Sequence, residues 1–185
     1  KSLIWDFVVV GGGATGLGAA VDAASRGFKV VLLEQADFTK ATSSRSTKLV
    51  HGGVRYLAQG DVSLVVEALR ERGLMKKNAP HLVKDQRFII GNYKWWEKPF
   101  YTIGLTVYDL LAGKRGLGRS LPMTKKAVEC EIPQINKTQL RGGVVYHDGQ
   151  FDDSRMGITL MQTAAEQGAV VINYAKVTNL IKDDS

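Results

Sequence analysis

Three glycines, Gly11, Gly13 and Gly16, stand between a short β-branched run and a stretch of small apolar residues, and they constrain the fold more than any other feature. Asp6 to Val10 reads Asp-Phe-Val-Val-Val, the pattern of a strand buried on both faces. Small and apolar residues then continue as a helix from about Thr15 to Arg26, with Gly27 where a C-terminal cap belongs. Phe28 to Glu34 reads as a second strand. Strand, tight turn, helix and strand make a βαβ unit, which implies a parallel pair with a right-handed crossover. In that context G-x-G-x-x-G acquires a meaning it lacks alone, that of a dinucleotide-binding turn. Gly11 permits the turn, Gly13 lets a pyrophosphate approach the backbone, and Gly16 lets helix and strand pack closely. Gly12, Ala14 and Thr15 complete the turn, and the helix N-terminus offers free N–H groups and partial positive charge to phosphates. Glu34, at the end of the second strand, is placed to accept hydrogen bonds from ribose hydroxyls, and it would repel a 2′-phosphate, which argues against NADP. NAD and FAD both remain open at this point.

Beyond this unit the chain is polar, hydroxyl-rich and glycine-punctuated over residues 35–60. Asp61 caps a helix that presents Val62, Val65, Val66 and Leu69 on one stripe and ends at Asn78-Ala79-Pro80. Arg87 to Ile90 is a strand, Phe100 to Leu111 an apolar helix closed by Gly113, and Lys114 to Lys126 a basic irregular segment. Val144 to Tyr146 is a short strand and Asp148-Gly149 a turn. A helix starts at Asp152 or Asp153 and runs to about Gln167, closed by Gly168, before strands at Ala169 to Tyr174 and Val177 to Ile181. The expected organisation is an α/β dinucleotide-binding domain over residues 1–80, the start of a mostly β domain over 81–146, and a return to the first domain over 147–185.

Charge and composition narrow the partners. Twenty-five basic against eighteen acidic side chains leave a net charge of +7, which favours anionic partners. Nucleic-acid binding has only that charge behind it. Trp95-Trp96 beside Lys94 and Lys98, and the basic residues Lys114, Arg115, Arg119, Lys125 and Lys126, suit peripheral contact with a membrane interface. No apolar run reaches the roughly 20 residues of a spanning helix, and no signal peptide is expected. Cys130 is the only cysteine, so no internal disulfide forms, which fits a cytoplasmic setting. The three histidines are far apart, so no metal site is expected. There is no G-x-S-x-G elbow for a hydrolase.

The next block reads Ala41-Thr42-Ser43-Ser44-Arg45-Ser46-Thr47-Lys48-Leu49-Val50-His51-Gly52-Gly53-Val54-Arg55-Tyr56-Leu57. Its hydroxyls and paired glycines offer donors and close backbone approach along an extended ligand. Together with His147-Asp148-Gly149-Gln150-Phe151-Asp152-Asp153-Ser154-Arg155, this block resembles the FAD-dependent glycerol-3-phosphate dehydrogenases and the related glycerophosphate oxidases. The resemblance runs over nearly the whole chain. It implies a Rossmann-like FAD-binding fold and a chain that is an amino-terminal part of a longer enzyme.

It also implies residue roles. Gly11 to Gly16 would hold the FAD pyrophosphate and Glu34 the ribose. Thr42, Ser43, Ser44, Ser46, Lys48, Leu49, His51, Gly52 and Gly53 would surround the pyrophosphate, ribityl chain and flavin ring. Val177 would face the adenine, and Arg55 and Tyr56 would lie beside the substrate, where an arginine fork suits a phosphate. The reaction implied is hydride transfer from C2 of glycerol 3-phosphate to flavin N5, giving dihydroxyacetone phosphate, with electrons passed to quinone or oxygen. Such an enzyme would work as a peripheral protein at the inner face of the cytoplasmic membrane, as an oligomer or a monomer. The catalytic base is not identifiable. The alternatives are another flavin oxidase or dehydrogenase of the same clan, acting on an amine or hydroxy acid, and a non-catalytic FAD-binding fragment.

Overall fold

The computed structural model describes residues 3–57 and 59–182, with the side chain of Arg55 outside the described part. In chain order the elements are β1 (Phe7–Val10), α1 (Ala14–Ser25), β2 (Val30–Leu33), β3 (Leu49–Val50), α2 (Val54–Leu57), α3 (Val62–Asn78), β4 (Lys84–Asn92), α4 (Glu97–Ala112), β5 (Leu121–Thr124), α5 (Lys125–Glu131), β6 (Gly142–Gln150), α6 (Asp153–Glu166) and β7 (Val170–Ile172). They divide into two units, Lys1–Lys48 with Asp152–Ser185, and Leu49–Phe151. The sequence places domain boundaries at residues 80 and 146; the compact units change over after Lys48 and after Phe151, and α3 belongs to the second unit.

The first unit is a parallel α/β layer with strand order β1-β2-β7. β2 lies in the middle and is buried through Val30, Val31 and Leu32. Leu17, Ala20 and Ala24 of α1 and Ala164 of α6 pack into the same core. The small residues of α1 allow this close approach, and each fully buried Leu or Val contributes about 1.5–3 kcal/mol. Gly27, at φ +86°, ends α1 with its N–H on the Ala24 carbonyl, as the sequence predicts. Asp152 caps α6 by accepting from the Arg155 N–H at 3.0 Å, and Gly168 follows the helix at φ +95°.

Two strand readings are corrected. β1 forms where predicted but is not buried on both faces, since Phe7, Val8 and Val10 are 46%, 56% and 60% exposed. Among the described residues it pairs only with β2, and an apolar run reports capacity for burial, not the presence of a cover. Val177 to Ile181 form no strand, and Leu180 and Ile181 are exposed.

The second unit is built on an antiparallel sheet. β6 pairs along its whole length with β4, while its other edge is shared by β5 and β3. Among the described residues of this unit four helices, α2 to α5, accompany the four strands. Asp148-Gly149 is no turn but the last part of β6, and the basic segment contains β5 and the start of α5. Asp61 caps α3 as predicted, accepting from the Leu64 N–H at 3.1 Å. The inward face of α3 is Val65, Leu69 and Arg72, while Val62 and Val66 are exposed. Inward positions three and four apart fit a helix that lays one line of side chains on its neighbours. Val65 and Leu69 meet Tyr108 and Ala112 of α4 in a compact core.

The backbone contact of Gly16 generates the first prediction. A Cβ there would lie 2.0 Å from the Gly11 carbonyl oxygen, whereas one at Gly13 would meet only the Ser43 hydroxyl, at 3.1 Å. Gly16→Ala should therefore destabilise the chain by at least the 1–3 kcal/mol, roughly, of an overpacked core, and Gly13→Ala by less. Urea denaturation of the two variants checks the ranking.

Candidate functional site

In the first unit the glycine turn sits between β1 and the start of α1. Gly11, at φ +108°, donates to the Leu33 carbonyl at 2.9 Å, which ties the turn to β2. Gly12 donates to Glu34 Oε2 at 2.6 Å, and the Ala36 N–H donates to Oε1 at 2.8 Å. Both oxygens of Glu34 thus fix backbone, and each retains acceptor capacity for a second donor such as a ribose hydroxyl. Gly13 is the N-cap of α1 and offers no side-chain cap, and the first turn of the helix carries no acidic residue. Ser43 reaches the same helix mouth, its Oγ accepting from the Ala14 N–H at 2.9 Å. Thr42, Ser43 and Ser44 form a single 3-10 turn. A twelve-residue helix with a glycine N-cap, further glycines and a neighbouring hydroxyl at its mouth fits an anionic diphosphate.

Ser46 and Lys48 are placed otherwise than as free phosphate ligands. The Ser46 N–H and Oγ–H donate to Asp153 Oδ2 at 3.0 and 2.7 Å, and the Lys48 ammonium pairs with Asp153 Oδ1. Lys48 adopts φ +59°, and its own N–H donates to Ser46 Oγ at 3.0 Å. The Asp153 side chain is only 5% exposed. The hydrogen bond from Lys48, then those from Ser46, hold its carboxyl well below the usual carboxylate range against the cost of burial. The sequence marks Asp153 as a helix start and as part of the resembling block, and its part in fixing the hydroxyl-rich loop emerges from the tertiary structure. Val177 is half-buried outside any strand.

In the second unit Leu49, His51, Gly53 and Tyr56 are brought together on one cavity of about 600 Å³, with Tyr146 and Asp148 on its walls. Tyr56 is 43% exposed and His51 is exposed, whereas Gly52 and Gly53 are buried. Arg55 lies on α2, and its side chain is outside the described part. Phe88 stacks on Tyr146, and burial, then the nearby Asp148 charge, pushes the Tyr146 phenol up. Beneath the His51–Gly53 segment, Arg72 pairs with Asp148 at 2.8 Å. The only sequence signal of this pair is an arginine in line with Val65 and Leu69 on α3.

A family profile described as FAD dependent oxidoreductase matches residues 6–185. The chain belongs to the FAD dependent oxidoreductase family. The Schizosaccharomyces pombe protein named glycerol-3-phosphate dehydrogenase, mitochondrial, is 44% identical over 185 residues, covering 96% of this chain and 28% of that protein. The Homo sapiens protein of the same name is also 44% identical, over 96% of this chain and 25% of its own length. Among solved structures, the glycerol-3-phosphate dehydrogenase of Bacillus halodurans complexed with FAD superposes with a TM-score of 0.69 at 31% identity, over 97% of this chain and 28% of that one. The FAD-bound L-alpha-glycerophosphate oxidase of Mycoplasma pneumoniae, at 16% identity and a TM-score of 0.69, covers 96% of this chain and 47% of its own and shares the fold. This FAD dependent oxidoreductase chain thus spans little more than a quarter of the length of the curated relatives it matches.

The Asp153 carboxyl makes a pH prediction. Because its folded pKa is depressed from 3.8, its stabilising contribution is complete above that value and is lost as pH falls through the folded pKa. Asp153→Asn should remove this portion, so wild type should lose stability more steeply than the variant as the pH is lowered from about 4. Urea denaturation across that range reads the difference, and parallel pH dependences would contradict the assignment.

Proposed function

We propose that this chain holds FAD in an enzyme that oxidises glycerol 3-phosphate to dihydroxyacetone phosphate and passes the electrons to quinone or oxygen. The observation that carries the reading is the 44% identity to glycerol-3-phosphate dehydrogenases over 96% of the chain, a stretch that takes in both the glycine turn and the cavity residues. The flavin supplies a two-electron redox centre when bound, and the protein binds, orients and shields.

In this reading Gly11, Gly12, Gly13, Ala14, Thr15 and Gly16 take the pyrophosphate, and Glu34 takes the ribose with the acceptor capacity its backbone bonds leave. Thr42, Ser43 and Ser44 stand by the helix mouth. Ser46 and Lys48 act through Asp153, holding the loop in shape. Leu49, His51, Gly52 and Gly53 form the wall toward the flavin ring, Val177 faces the adenine, and Arg55 and Tyr56 take the substrate phosphate side. The unit of residues 1–48 and 152–185 is then the flavin domain, and residues 49–151 contribute to the substrate domain.

The proposed partner surface is a membrane. No helix among the described residues is long and apolar enough to cross one. On α4, however, Phe100, Ile103, Val107 and Leu110 recur three or four residues apart and are 55%, 66%, 40% and 75% exposed. Trp96 continues the line, with Lys94 over its ring at 5.7 Å. An apolar stripe with an aromatic and cationic end suits an anionic bilayer interface.

Anaerobic titration of the intact protein with glycerol 3-phosphate should bleach the oxidised flavin band, and amino acids or 2-hydroxy acids should not. The opposite pattern selects another oxidase of the clan, and no bleaching by any of them selects a non-catalytic module. In the same assay Arg55→Ala should raise the substrate requirement on the order of tenfold or more while FAD stays bound, the loss of a charge-assisted hydrogen bond. For the membrane contact, the intact protein should cosediment with phosphatidylglycerol vesicles, and Ile103→Ser with Leu110→Ser should lower the bound fraction several-fold. Equal binding by the variant would remove the stripe from the interface.

A further inference from the structure

Arg72, Tyr108 and Asp148 come from α3, α4 and β6 and meet with almost no solvent exposure. Asp148 Oδ1 accepts from Arg72 Nη1 at 2.8 Å, from the Gly149 N–H at 3.1 Å and from the Gly52 N–H at 3.3 Å. The Tyr108 hydroxyl donates to Asp148 Oδ2 at 3.4 Å and accepts from Arg72 Nη1 at 3.2 Å. Burial, then the Asp148 charge, pushes the Tyr108 phenol up, so it stays a neutral donor. A Cβ on Gly52 would lie 2.3 Å from that hydroxyl and 2.3 Å from Leu69 Cδ2, so the backbone at Gly52 is pressed directly onto the network. Gly53 follows at φ +71°, and His51 and Gly53 face the cavity.

Stability alone does not account for this arrangement. Removing two charges from water is expensive, and an apolar pair of the same volume is commonly as stable or more so. Arg72 Nε is also buried with no partner among the described residues. What the network delivers is a fixed backbone, since its carboxylate grips a main-chain N–H in the middle of the cavity wall.

We propose that Arg72, Asp148 and Tyr108 are positioning residues that hold the His51-Gly52-Gly53 segment in the geometry the cavity needs. The inference rests on the functional reading above for what the cavity does, but the clamp itself can be tested without it. In the intact FAD-loaded protein, hydrogen exchange of peptides spanning residues 49–57 reads the segment directly. Arg72→Met with Asp148→Ala removes both charges and the acceptor for Gly52. Exchange at residues 51–53 should accelerate tenfold or more, while β4 and the rest of β6 stay within about twofold of wild type. Arg72→Met with Asp148→Asn restores a neutral acceptor and should bring the segment back to within about threefold. Unchanged local exchange, or equal acceleration throughout residues 49–151, would overturn the proposal.

If the first variant does not fold, Tyr108→Phe decides by the same measurement, with local acceleration of threefold or more expected and none overturning the clamp. In glycerol 3-phosphate turnover the loosened variants should lose kcat tenfold or more, with the asparagine variant recovering most of it. Unaltered kcat in a variant with a loosened segment overturns the functional half of the proposal. Failure of wild type to turn over this substrate at all would count against the functional reading, while the exchange data would still decide the clamp.

Discussion

The contact between Gly16 and the Gly11 carbonyl sets the geometry from which the first unit is built. With no side chain at Gly16, α1 starts directly against the turn that leaves β1, and its small residues then lie on the buried β2. Glu34 completes the arrangement from the far end of β2 by accepting the Gly12 N–H, so the glycine turn and the Glu34 carboxylate are one hydrogen-bonded piece. Binding groups held this way need no reordering when a ligand arrives, which lowers the entropic cost of association.

Much of this was legible in the sequence because its signals are local. The glycine spacing, the caps at Asp61 and Asp152, and the stops at Gly27 and Gly168 each act within a few residues, and each appears where the sequence places it. The readings that changed depend on partners distant in the chain. β1 has the composition of a covered strand but, among the described residues, a paired strand on one side only. Asp148-Gly149 has turn chemistry, yet nine-residue pairing with β4 carries β6 straight through it. Of the predicted stripe on α3, Val65 and Leu69 face inward while Val62 and Val66 are exposed, and Arg72 joins the inward line.

The candidate site divides in the same way. Gly11 to Gly16 and Glu34 carry chemistry that residue type and spacing express directly. The hydroxyl-rich loop does not, because Ser46 and Lys48 owe their positions to Asp153, more than a hundred residues later. His51 and Gly53 are marked by the resemblance of their block, while the buried charges beneath them become visible only when α3, α4 and β6 are packed together.

The pairing of Lys48 with Asp153 has a consequence for how such a chain can change over time. The two residues are 105 positions apart and lie at the two places where the first unit is interrupted. With both ends of the interruption fastened to each other, the closure entropy of what lies between grows only with the logarithm of its length. Residues 49–151 are therefore free to be lengthened, shortened or recast with small effect on the parallel layer, so a single scaffold can be fitted with different inserts.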